Sequence, residues 1–195
     1  MTPLSEEILA RFQDGFDRAI AAQIPEVNAM TLATVDPEGR PAARTVLLKG
    51  HDADGFVFYT NLESRKGQHL AHTPQASAVF WWRENEEQVL IDGAVEPVSP
   101  QEADEYFASR PRGSQIGAWA SQQSRQLNQR QALLDAVAEA EARFEGQDVP
   151  RPEHWSGFRI KPRRVEFWYG QTHRLHERVC FRDVDGQWVS TLLFP

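Results

Sequence analysis

Only one cysteine, Cys180, occurs in the 195 residues. A lone thiol excludes an intrachain disulfide and implies no oxidising compartment. It lies in ERVCFRD, which reads as a strand, so core packing rather than nucleophilic chemistry is its expected use. No apolar run approaches the roughly 20 residues needed to span a bilayer. The opening MTPLSEEILARF is acidic and amphipathic rather than basic and then apolar, so neither a leader nor an anchor is expected, and a cytoplasmic location is. A surplus of positive charge is missing too: the net charge of −7 argues against a nucleic-acid backbone as partner. There is no GxGxxG, no GxxxxGK[ST] and no GxSxG, which leaves dinucleotide, P-loop and hydrolase-elbow readings without support. His69 and His72 are three apart, as are His173 and His176, but neither pair has a cysteine or carboxylate at ligand spacing, and no metal site is expected.

Lysine is scarce as well, since eighteen of the twenty-one basic residues are arginine. Several cluster in short words: RTVLLK, SRK, SRPR and RLHER. The planar guanidinium matches a phosphate or a carboxylate, so local arginine clusters in an acidic chain suggest small anionic ligands. A codon bias toward arginine would produce the same excess.

Leu4, Ile8, Leu9, Phe12, Phe16 and Ile20 recur at helical spacing, which predicts an amphipathic helix within 1–24, ended by Pro25. From Ala29 to Pro97 come short β-rich runs separated by turn residues such as Asp36-Pro37-Glu38-Gly39. They point to an antiparallel barrel or sandwich rather than a βαβ sheet. Ser64 can cap a short helix, SRKGQHLAH, that stops before Pro74. Ser99-Pro100-Gln101-Glu102 is a capping box opening a helix to about Ser109. The stretch from Asn128 to Phe144, without Gly or Pro, is a fourth helix. The expectation is one domain over 1–195: helix in 1–24, barrel strands in 29–98 and 157–191, and a helical insertion in 99–145. It is mainly β with flanking helices.

Three words carry chemistry. Arg65 and Lys66 at a helix start, where free N–H groups attract anions, form a candidate phosphate cradle, although a solvated basic turn has the same letters. Arg110 to Gln115, RPRGSQ, reads as a loop able to hold a second phosphate, or as an ordinary polar turn. RLHER, if extended, sets Arg174, His176 and Arg178 on one face. An imidazole between guanidiniums resists protonation and suits proton handling beside an anion. A charged edge strand is the plainer alternative. Most of the six Trp and eleven Phe belong to a core, with one or two free to stack on a flat ring.

Taken together, RTVLLKG, GFVFYTNLESRKGQ, EEQVLIDGAVE, YFASRPRGSQIGAWAS, HWSGFRI and VEFWYGQTHRLHER resemble, in order, the pattern of the pyridoxine (pyridoxamine) 5′-phosphate oxidase family. The resemblance runs from about Met30 to Trp188. It implies an FMN-binding split β-barrel working as a homodimer, with FMN at the interface. It also implies oxidation of pyridoxamine 5′-phosphate or pyridoxine 5′-phosphate by dioxygen to pyridoxal 5′-phosphate, with hydrogen peroxide released. By resemblance, Arg44, Lys49, Tyr59, Thr60, Arg65, Lys66, Gln88, Gln123, Ser124, Trp168 and Arg178 contact FMN, some across the dimer. Lys49, Tyr106, Arg110 and Ser114 hold the substrate's phosphate, while Arg174 and His176 face its ring, orient it and ease its proton loss. The chain departs from the family at two places. Here one acidic helix precedes the barrel instead of a basic segment that folds over the substrate, and the ending TLLFP lacks an arginine before its Leu-x-Pro. The rival readings are a same-fold oxidase acting on a phenazine-type ring, whose members tend to lack an intact SRPRxSQ, and a barrel that binds flavin or pyridoxal phosphate without turnover.

Overall fold

The computed structural model describes residues 2–195. It opens with helix α1 (Glu6–Ala21), whose first turn is closed by Ser5 accepting from the Ile8 amide at 3.3 Å. Glu6 and Glu7 place negative charge at the helix's positive end. Ile8, Phe12 and Ala19 are fully buried along one face, and the Phe12 ring meets Phe56 and Phe80 edge-on at 4.9 and 5.4 Å. Ile20, expected on the same stripe, is exposed in the last turn.

Nine antiparallel strands follow in chain order: β1 (Ala29–Val35), β2 (Pro41–Leu47), β3 (Gly50–Asp52), β4 (Gly55–Asn61), β5 (Gln75–Trp82), β6 (Glu87–Pro97), β7 (Trp155–Tyr169), β8 (Glu177–Val184) and β9 (Gln187–Leu192). They form one sheet in the order β2-β1-β5-β6-β7-β4-β3, curled into a half-barrel, with β8 and β9 continuing from β7. Helix α2 (Arg65–His72) separates β4 from β5, and α3 (Pro100–Ser109), α4 (Arg112–Ala120) and α5 (Arg130–Arg143) lie between β6 and β7. No helix among the described residues is long and apolar enough to cross a membrane.

The spine of the sheet is β7, and its second edge is divided between two partners. Trp155–Ile160 pairs with β4, and Arg164–Tyr169 pairs with β8. Between them lies Pro162, which has no N–H to donate. On the β6 side the register jumps at the same place, from Asp92 opposite Arg164 to Gly93 opposite Pro162, which makes Arg163 the extra residue of a bulge. Gly93 is required there, because a Cβ would collide with the Lys161 carbonyl oxygen. One strand thereby carries two separate lateral partners, and the two ends of β7 face different surroundings.

Two expectations change. Residues from Arg112 onward are not a loop but the first turns of α4, because Pro111 stands at the N-cap, where its missing N–H costs nothing, and Gly113 follows inside the helix. The RLHER word is not extended throughout. Thr172–Arg174 forms a 3-10 turn with His173 and Arg174 at φ 57° and 63°, so the strand starts only at Glu177, and the shared face expected for Arg174, His176 and Arg178 does not exist. Elsewhere the capping serines act as expected: Ser64 accepts from the Gly67 amide and Ser99 from the Glu102 amide. Cys180 is fully buried in β8.

Candidate active site

A cleft of about 840 Å³ opens between β2, β4, α2 and the α3–α4 junction. Four cations, Arg44, Lys49, Lys66 and Arg110, line it, and no Asp or Glu does. In a chain with net charge −7, this is a local inversion of the overall charge.

Lys66, Arg44 and Arg110 are held by groups other than acids. Lys66, buried at the start of α2, donates to Gln123 Oε1 at 2.8 Å, Thr60 Oγ1 at 3.0 Å and Ser64 Oγ at 3.2 Å. Burial, followed by the nearby charge of Arg44, pushes its pKa down to about 8. The α2 turn that aims it is tight, since a Cβ on Gly67 would collide with the Leu62 carbonyl oxygen. Arg44 on β2 donates through Nη1 to the Leu32 carbonyl at 3.1 Å and to Thr34 Oγ1 at 2.7 Å. Thr34 in turn lies 3.1 Å from Nδ1 of buried His69 on α2. Burial and then the charge of Arg65 lower the Arg44 pKa. Arg110 caps α3, and burial lowers its pKa too; its Nη1 is buried with no hydrogen-bond partner among the described residues. A buried guanidinium nitrogen without an acceptor is costly, which marks a place built for one.

The aromatic wall of the cleft is ordered. Tyr59 and Tyr106 stack with centroids 3.9 Å apart, and Tyr59 lies parallel to Trp155 at 5.4 Å. Burial, then the charge of Glu102, raises the Tyr59 pKa to about 12, so its hydroxyl stays protonated at neutral pH.

At the other end of β7 stands a second group. Gln88, Trp168 and Arg178 are register partners across β6, β7 and β8. The His176 ring sits 4.4 Å from that of Trp168, and its Nδ1 accepts from the Gln171 amide at 3.1 Å. That bond leaves Nε2 to carry the proton of the neutral ring. Arg178 donates to Glu166 Oε1 at 2.7 Å and to the Phe194 carbonyl at 3.0 Å, so the chain's ending is tied down through Arg178.

The cleft thus gathers Arg44, Lys49, Tyr59, Thr60, Lys66 and Gln123 with Tyr106, Arg110 and Ser114. Arg65 and Ser124 are exposed beside it in sequence, outside its lining. Gln88, Trp168, Arg174, His176 and Arg178 are not in the cleft. Tyr59 pairs with Gly157, whereas Gln88 pairs with Trp168. The two β7 positions are separated by about 35 Å of strand, at roughly 3.3 Å per residue. Three residues at the site were missed from sequence. Trp155 looked like any core tryptophan; Thr34 was one polar letter of a strand; His69 drew notice only as a half of a histidine pair.

A curled, split sheet with a cationic cleft and an aromatic wall defines a split-barrel protein whose cleft suits an anion. The sequence pattern described as pyridoxamine 5′-phosphate oxidase matches residues 16–144, and that described as the pyridoxine 5′-phosphate oxidase C-terminal dimerisation region matches residues 155–195. The chain belongs to the pyridoxamine 5′-phosphate oxidase family. It is 53% identical to a pyridoxine/pyridoxamine 5′-phosphate oxidase of Synechocystis sp., over 98% of this chain and 90% of that one. It is 52% identical to one of Sphingopyxis alaskensis, over 98% and 89%. Among solved structures, PhzG from Burkholderia lata, in complex with tetrahydrophenazine-1-carboxylic acid, superposes with a TM-score of 0.92 at 34% identity, covering 99% of this chain and 94% of that one. An FMN-binding protein from Nostoc punctiforme related to pyridoxamine 5′-phosphate oxidase shares the fold, with a TM-score of 0.77 at 16% identity over 98% and 99% of the two chains.

Proposed function

We propose that this protein oxidises pyridoxamine 5′-phosphate or pyridoxine 5′-phosphate to pyridoxal 5′-phosphate, in the cytoplasm, as a flavin mononucleotide enzyme. The observation that carries the reading is the acid-free cleft with two cationic stations. Lys66 and Arg44, with Arg65 beside them, suit one phosphate; Arg110 with Ser114, and Lys49 between the stations, suit another. The residues present fit FMN: Lys66 at the α2 N-terminus meets only neutral oxygens, which an anion would outbid. Bound FMN would accept the two electrons taken from the substrate's 4′ carbon and hand them to dioxygen, giving hydrogen peroxide.

The chain's own residues do the positioning. Arg110 supplies an unfilled N–H to the substrate phosphate, and Tyr106 and Ser114 border the same station. For the amine substrate, oxidation of the C–N bond is followed by entry of water and departure of ammonia, so the site must hold an anion firmly while the far end of the molecule reacts. Arg174 and His176 are assigned to orienting the ring and easing its proton loss, with Nε2 of His176 the ring nitrogen left free of the Gln171 contact.

One chain does not bring these two groups to one flavin, because they stand at opposite ends of β7. A homodimer does if the Trp168–His176 end of one protomer closes over the cleft of its partner, with Gln88, Trp168 and Arg178 completing the FMN site from across the interface. Trp81, Leu175, Leu192 and Phe194 expose large apolar side chains at that end, as a surface made to be covered would.

The same cleft acting on a phenazine-type ring is the competing reading, and flavin binding without turnover is another. Purified protein, assayed for bound flavin and for peroxide with pyridoxine 5′-phosphate, pyridoxamine 5′-phosphate, pyridoxine and a reduced phenazine carboxylic acid, separates them. Peroxide from the phosphate ester at far lower concentration than from the free alcohol is expected. A yellow protein that produces none from either ester refutes the proposed function.

A further inference from the structure

We propose that Trp155 is the positioning residue for Arg110: its indole face holds the guanidinium in place for the substrate's phosphate and thereby sets the preference for phosphorylated over unphosphorylated substrate. The inference rests on the oxidase reading and goes beyond it, because the word that contains Trp155, HWSGFRI, contributes no ligand-contacting residue to the family resemblance.

Arg110 has its guanidinium carbon 4.6 Å from the centre of the Trp155 ring and 5.4 Å from that of Phe107. A carboxylate would fix this side chain more strongly, but it would also neutralise the charge and occupy its N–H groups. An aromatic face attracts the cation through its quadrupole and leaves the in-plane donors free. The unpartnered Nη1 is the visible result.

The tryptophan is itself held rigidly. It is 6% exposed, opens β7 opposite Asn61, lies parallel to Tyr59, and receives the edge of Phe107 at 5.1 Å. Its carbonyl accepts from Arg151 Nη1 at 2.8 Å, while Arg151 Nε pairs with Asp104 of α3 at 2.6 Å. The nearby carboxylate is therefore committed to Arg151, one step behind the wall, and fixes the strand start against the helix that Arg110 ends.

The test compares Trp155→Leu, which keeps apolar bulk but removes the π face, with Trp155→Phe, which keeps a smaller one. The readout is the ratio of kcat/KM for pyridoxamine 5′-phosphate to that for pyridoxamine, with bound flavin measured on every sample. The ratio is expected to fall about tenfold in Trp155→Leu, mostly through KM, and to recover to within about threefold in Trp155→Phe. In an Arg110→Met background neither change should lower it further. Equilibrium dialysis of pyridoxal 5′-phosphate reads the same grip without turnover, and its Kd should rise in parallel. An unchanged ratio and Kd in flavin-loaded Trp155→Leu, a Trp155→Phe as impaired as Trp155→Leu, or a full additional loss in the Arg110→Met background each overturns the inference. If Trp155→Leu does not fold, Trp155→Phe with and without Arg110→Met decides alone: loss that persists without Arg110 overturns it. A wild-type protein that turns over neither phosphate ester, by contrast, defeats the oxidase reading itself.

Discussion

The cleft at one end of β7 and the paired group at the other treat arginine in opposite ways. At the Arg164–Tyr169 end, Arg164 and Arg178 converge on the carboxylate of Glu166, itself 1% exposed, and Arg164 also reaches Asp92 at 2.9 Å. At the Trp155 end, Arg44, Lys66 and Arg110 meet carbonyls, hydroxyls, an amide and ring faces, but no acid. The pKa directions follow the contrast: the Glu166 hydrogen bond raises that of Arg178, whereas burial lowers those of Arg44 and Arg110. A cation whose charge is already matched serves the fold, and one left unmatched in a cleft serves a ligand. Arg178 accordingly has less unmatched charge to offer an anion than Lys66 does.

The contrast breaks first at Glu166. Glu166→Gln leaves two guanidiniums facing a neutral amide in a buried place, and a stability loss of about 3 kcal/mol in urea unfolding is expected; a loss within error would mean that the paired end is not structural. Next comes Arg110→Ala, which should raise KM for the phosphorylated substrate about thirtyfold, from a charged hydrogen bond of about 2 kcal/mol, while flavin stays bound. Loss of flavin in that variant would merge the two stations into one.

Smaller effects sharpen the cleft side. Thr34→Val removes the hydroxyl that joins Arg44 to His69, and an increase of about fivefold in the FMN dissociation constant, roughly 1 kcal/mol, should follow. The smallest effect concerns pH. The Lys66 pKa is depressed from 10.5 to about 8, so without ligand the unfolded chain binds more protons than the folded one between those values, and stability should rise with pH across that window. Anion binding has the opposite sign: FMN affinity should weaken as pH climbs through about 8 and Lys66 loses its charge, and Lys66→Met should flatten the profile in a fluorescence titration.

Local features of this fold were legible in the sequence. Ser64 and Ser99 act on amides three residues away, so their caps can be read from neighbouring letters, as can the alternation of β5 and β6. Misreadings arose where a breaker residue has a positional use. Pro111 and Gly113 read as a turn because both interrupt helices, yet proline is harmless at a helix start. Pro162, by contrast, did not stop its segment from reading as β, and it sits at the bulge where β7 changes partners. RLHER alternates on paper, and the left-handed backbone of His173 and Arg174 cancels the alternation. Lys66 and Arg110 were legible in short basic words read as phosphate sites, and Arg44 and Lys49 through family resemblance, whereas the groups around these cations, Trp155, Thr34 and His69, depend on contacts between residues far apart in sequence and leave no local pattern.

In the proposed dimer the unmatched cations of one protomer are completed by the Trp168–His176 end of a second. Mixed dimers test it directly. Arg110→Ala and His176→Ala chains, each slow alone, are unfolded together and refolded at equal ratio. In a two-fold dimer half of the assemblies are hybrids, each with one site free of both changes, so activity should return to about a quarter of the wild-type value. Activity no greater than the average of the two parent variants would mean that Arg110 and His176 serve the same site from the same chain, and the account would be wrong.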